Sequence, residues 1–141
     1  MKIKHVKHSY AELSKVGKKY YNDTNFCTVI ALAVNCDLSF GKSRALCKKI
    51  VGRRQRRGLN VYQIMKLYKD MGMDLVKVDR AKFGKTLATV SKNIPTTGRY
   101  LWISTSHASA CRDGILEDWS ADGKRRSRIQ FCFEVKPLME Q

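Results

Sequence analysis

Cys27, His107 and Asp118 have the residue types of a thiol nucleophile, an imidazole base and a carboxylate that orients the base. Cys27 follows the polar cluster Asn22-Asp23-Thr24-Asn25, which reads as a helix N-terminus, and Phe26, Ile30, Ala33 and Val34 then form an apolar helical stripe. A thiol in the first turn of a helix meets the positive end of the dipole and backbone N–H groups that lack intrahelical partners. Both favour the thiolate, and the same N–H groups can hold an oxyanion.

The pairing of His107 with Asp118 rests on Asp113-Gly114. Asp-Gly between two strand-like runs predicts a two-residue hairpin. Arg112 then pairs with Ile115, Cys111 with Leu116, and Ser109 with Asp118. In that register His107 and Asp118 share a face as diagonal neighbours, roughly 7 Å apart at Cβ.

The elements that must position these groups can be read from caps and periodicity. A short helix is expected over Ser9 to Val16, and the nucleophile helix over Cys27 to Val34. A helix capped by Asp37 or Ser39 should run to about Val51. Asn60 caps another, with the stripe Val61, Ile64, Met65, Tyr68 and a stop at Gly72. Strands are expected over Asp74 to Val78, Tyr100 to Ser104, His107 to Arg112, Ile115 to Trp119 and Ser127 to Val135, with a small helix from Thr86 to Asn93. Helices first and antiparallel strands afterwards indicate an α+β fold.

The order of a helix-opening Cys, then His, then Asp on later strands resembles papain-like cysteine hydrolases. The nearer likeness is to the small papain-fold proteins of tailed bacteriophages and to double-glycine peptidases. It is carried by Asn22 to Ala33, Leu38-Ser39-Phe40, the basic loop Gly52 to Gly58, and His107 to Asp118, about residues 20 to 120 in all. The resemblance implies a papain-like fold, with N-terminal helices packed on a C-terminal antiparallel sheet. It places a hydrolase domain over residues 20–141 behind a basic extension over residues 1–19. It implies a Cys27-His107-Asp118 triad that cleaves a peptide or isopeptide bond through a thioester, with no cofactor and no metal. Members of that family usually carry a Gln five or six residues before the nucleophile to complete the oxyanion hole. This chain has none there; Asn22 and Asn25 are the available amides, and spacing favours Asn22. The implied setting is the host cytoplasm of a phage, or its virion.

Charge supports a second reading. Lys and Arg number 28 against 12 Asp and Glu, a formal +16. They cluster at Lys42 to Lys49, at Arg53, Arg54, Arg56 and Arg57, and at Lys124, Arg125 and Arg126. Such runs suit phosphate backbones or an acidic protein partner. The alternative is therefore a non-catalytic papain-fold effector that grips nucleic acid or a host protein through its basic surface. Aromatic residues do not interleave with the basic runs, which disfavours a stacking platform for single strands.

The remaining features bound the class. No window approaches the ~18 apolar residues of a membrane span. Five cysteines without metal-like spacing fit a reducing compartment. Cys36, Cys47 and Cys111 read as packing residues, and Cys132 should point away from the face of Phe131 and Phe133. His5 and His8 lack thiol or carboxylate partners for a metal, and a monomer is expected.

Overall fold

Side-chain caps begin four of the five helices among the described residues. Ser9 caps α1 (Tyr10–Tyr21), Ser39 caps α3 (Phe40–Val51), and Thr86 caps the short α5 (Leu87–Val90). Asn60 and Gln63 form a reciprocal capping box on α4 (Val61–Asp70). The exception is α2 (Cys27–Cys36), which starts at Phe26 with no side-chain cap. Burial compensates. Val29, Ile30, Leu32 and Val34 are all almost wholly inaccessible, a gross contribution of about 6–12 kcal/mol that exceeds the ~1 kcal/mol of a cap.

The computed structural model describes residues 9–104, 107–117 and 128–137. It shows an α+β arrangement of helices followed, apart from α5, by antiparallel strands. The strands are β1 (Met73–Val78), β2 (Arg99–Ser104), β3 (His107–Arg112), β4 (Ile115–Glu117) and β5 (Ile129–Pro137), in the sheet order β1-β5-β2-β3-β4. The hairpin register agrees with the Asp-Gly reading: Arg112 opposes Ile115 and Cys111 opposes Leu116. Asp113 and Gly114 both have positive φ, 50° and 87°, as a turn matching the strand twist requires.

Strand alternation gives the sheet two apolar faces. Leu101, Ile103, Ala108, Ala110, Phe133 and Val135 pack with α1 to α4. Trp102, Cys111, Leu116 and Cys132 face the other way and pack with Leu87 and Val90 of α5. Cys132 thus lies opposite Phe133, as alternation predicts. On the helical side, Ala108 and Ala110 of β3 share a core with Ala31 and Ala33 of α2. These small residues let the helix lie close over β3, and β3 begins at His107. Two arginines hold the other end of α2. Arg99 donates to the Asn35 carbonyl at 2.8 Å, and Arg112 donates to the Val34 carbonyl while pairing with Asp37. Cations there also suit the negative end of the helix dipole.

Helix α1 is longer than expected and belongs to the packed unit. Leu13 is buried in the helical-side core, and Gly17 lies beneath two rings. A Cβ at Gly17 would stand 2.6 Å from Phe40 and 2.8 Å from Phe26. The boundary expected at residue 20 therefore does not coincide with a break in packing. Phe26, seated edge-on against Phe40 with 5.4 Å between centroids, is the residue just before Cys27.

Candidate active site

Cys27 opens α2 and meets the start of β3. Its thiol shares the cavity lining with His107, Ala108 and Thr28, and all three favour its ionised form. Burial opposes ionisation of this thiol. His107, with Ala108 and Thr28, outweighs burial and holds it below the ordinary 9.0. His107 is itself 6% exposed, while Cys27 is half-buried. No side chain caps the helix end beside Cys27, so its N–H groups are not taken up by a capping residue.

Sulfur and imidazole line a cavity of about 950 Å³. One wall is Asn25 to Thr28, another is Gly58 to Val61 with Ile64, and the sheet supplies Ile103, Ser104, His107, Ala108, Gln130 and Phe131. Gln130 and Phe131 are adjacent residues, yet both reach this space. A bulge explains it: Ile103 pairs with Phe131 but Ser104 pairs with Ile129, leaving Gln130 as the extra residue in β5. Among the described lining residues none is an Asp, Glu, Lys or Arg, although the chain carries +16 overall.

The segment before the nucleophile is tied down by a buried carboxylate. Asp23 is 1% exposed. It accepts two hydrogen bonds from Arg53 (2.8 and 3.1 Å), one from Arg44 (2.9 Å), and the backbone N–H of Arg56 (2.7 Å) and of Thr24 (2.9 Å). Burial alone would raise its pKa, but these donors bring it down to about 2. Arg53 also donates to the carbonyls of Thr24 and Arg57.

The assignment of Arg53 to a polyanion site is therefore corrected. Its guanidinium is buried and spent on Asp23 and backbone carbonyls, because an unpaired buried cation would be costly. Arg54, Arg56 and Arg57 are exposed, though Arg56 donates to the Asn22 carbonyl at 3.2 Å. Lys124, Arg125 and Arg126 lie outside the described residues, as does Asp118.

The two asparagines separate. Asn22 is the left-handed C-cap of α1, and its carbonyl accepts from Gln55 and Arg56. It is not among the residues lining the cavity, whereas Asn25 is. Asn25, also left-handed at φ 50°, donates its amide to the Arg56 carbonyl at 3.0 Å. The polar cluster thus makes the turn before α2 through Asp23 and Asn25 rather than capping the helix with a side chain.

The other thiols contrast with Cys27. Burial pushes Cys36 and Cys47 up to about 11, and Cys111 and Cys132 up to about 12. Among the described residues no three His, Cys, Asp or Glu side chains gather to hold a metal ion. None of the helices described is long and apolar enough to cross a membrane. Sequence reasoning missed Asp23 as the anchor of the nucleophile segment and Gln130 as a cavity residue. Capping patterns do not reveal a partner thirty residues away, and alternation alone cannot locate a bulge. No protein family, curated protein or solved structure matches the chain.

Proposed function

We propose that the protein is a cysteine hydrolase of papain-like type that cleaves an amide bond, of the peptide or isopeptide class, through a thioester. The observation that carries the reading is the meeting of Cys27, at the start of α2, and His107, at the start of β3, in one cavity, with the thiol shifted toward its ionised form by His107. His107 takes the thiol proton, and the Cys27 sulfur attacks the carbonyl carbon. The negative oxygen forms beside the α2 N-terminus, whose first residues line the cavity, with the Asn25 side-chain N–H not taken by the Arg56 carbonyl as a second donor. Collapse breaks the C–N bond, and His107 passes its proton to the departing amine. Water, deprotonated by His107, then attacks the thioester; the acid leaves and the thiol is restored. In this reading Asp118 orients His107, and the host cytoplasm of a phage is the setting.

The test is residue-resolved alkylation by iodoacetamide across pH, for the wild type and His107→Ala. A thiolate at Cys27 that reacts well below pH 7 and is lost in the variant is the expected result. Cys27 reacting no faster than Cys36 refutes the reading.

A second reading, polyanion binding, draws on a separate cleft of about 490 Å³ lined by Arg44, Lys48, Gly52, Arg53, Arg54 and Gln55. Arg44 and Arg53 are committed to Asp23, so Lys48 and Arg54 are its available cations. Binding of a duplex oligonucleotide that weakens steeply with salt, and weakens further in Lys48→Glu/Arg54→Glu, would favour it.

A further inference from the structure

The basic loop and the nucleophile segment are joined far more densely than two surface loops need to be. Besides the buried Asp23–Arg53 pair, Gln55 donates to the carbonyls of Tyr21 (3.0 Å) and Asn22 (2.7 Å). Asn25 returns a bond to Arg56. Every backbone carbonyl from residue 21 to residue 24 except that of Asp23 accepts from this loop. The segment so held runs straight into Phe26 and Cys27. On its other side the basic loop continues into Gly58 to Val61, the facing wall of the cavity.

We propose that Asp23 and Arg53 are positioning residues for the nucleophile, a clamp that fixes the turn before α2 and so sets Cys27 against His107. The assignment rests on the hydrolase reading above and deepens it. Neither residue lines the cavity. Their effect passes through the backbone of residues 24–26, which leaves α2 no freedom to retreat from β3. Charge and geometry make opposite demands here, which gives the proposal a sign. Removing the negative charge of Asp23 leaves Arg53 uncompensated, and its field alone would make Cys27 easier to ionise. Loosening the turn instead draws Cys27 away from His107 and Ala108, which favour its thiolate, and makes it harder to ionise.

The experiment measures the pH profile of Cys27 alkylation by iodoacetamide in Asp23→Asn and Arg53→Lys, with near-UV circular dichroism to establish that each is folded. Arg53→Lys keeps the charge but loses the planar fork that engages both carboxylate oxygens. Both variants are expected to move the reactivity midpoint upward, with a fall on the order of tenfold at pH 6 for a rise of about one pH unit. A folded Asp23→Asn whose midpoint is unchanged or lowered overturns the clamp. Where that variant does not fold, Gln55→Ala carries the test. It removes two exposed hydrogen bonds and no buried charge, and an unaltered profile overturns the proposal. Failure of the hydrolase reading would show separately, as a wild-type Cys27 indifferent to His107→Ala.

Discussion

Acid should release the Asp23 clamp, by an amount that follows from its surroundings. Burial works against the charge of this carboxyl, but Arg53, the Arg56 N–H and Arg44 together bring its pKa from 3.8 down to about 2. A carboxyl whose folded value lies below its unfolded value stabilises the fold at every pH above the unfolded value, and loses that contribution as pH falls through the folded one. The two values correspond to about 2.4 kcal/mol at neutral pH, about 1.3 at pH 3 and about 0.4 at pH 2. The perturbation is Asp23→Asn, which removes the titration but keeps an acceptor. Urea unfolding of both proteins from about pH 7 to about pH 2 gives the stability gap between them, and subtraction cancels the other carboxylates and the repulsion of +16. The gap should hold level down to about pH 5 and then narrow by about 2 kcal/mol by about pH 2. At neutral pH it should approach the ~3–5 kcal/mol of a broken buried pair, since Arg53 stays inside without its counter-ion. A gap that stays flat across the whole range refutes the reasoning.

Gly17→Ala should lower stability by about 1–2 kcal/mol in urea titration: alanine's helix propensity gains about 1 kcal/mol, but its Cβ overpacks Phe26 and Phe40, which are both buried. A variant as stable as the wild type would mean the rings can yield. Native alkylation at pH 8 should modify Cys27 in preference to Cys111 and Cys132, whose values of about 12 leave a thiolate fraction on the order of one in ten thousand. Equal labelling of the three, read by mass spectrometry, contradicts the burial argument.

How much of this was legible depends on the range of the interaction. The hairpin was readable because Asp113-Gly114 sets its register locally, and Arg112–Ile115 and Cys111–Leu116 form as expected. Asn60, and Ser39 as an alternative to Asp37, announced their helices as caps, whereas Thr86, expected as the first residue of a helix, caps it instead. Cys27 and His107, expected to act together, both line the cavity. Arg53 could not be read correctly: in sequence it is one of four arginines in a run of five, and only the fold brings Asp23 beneath it. Asn22 was favoured by spacing, but spacing along a chain that turns in the left-handed region at both Asn22 and Asn25 does not translate into reach. The β5 bulge was hidden for a like reason, since Gln130 sits in a run whose alternation looks unbroken until its pairing with β2 is known.

The contact of α2 with β3 joins residues 27 and 107, which lie far apart along the chain. Local structure cannot form it early. The sheet carries long separations of its own, with β1 pairing to β5 as Met73 to Pro137, and such non-local closure slows folding. The helices can therefore be present well before the thiol has its imidazole. Alkylation of Cys27 at mildly acidic pH then becomes a clock for the last stage of folding. Pulse labelling during refolding should find this sulfur dull while helical circular dichroism is already recovered, and quick only once β3 has docked.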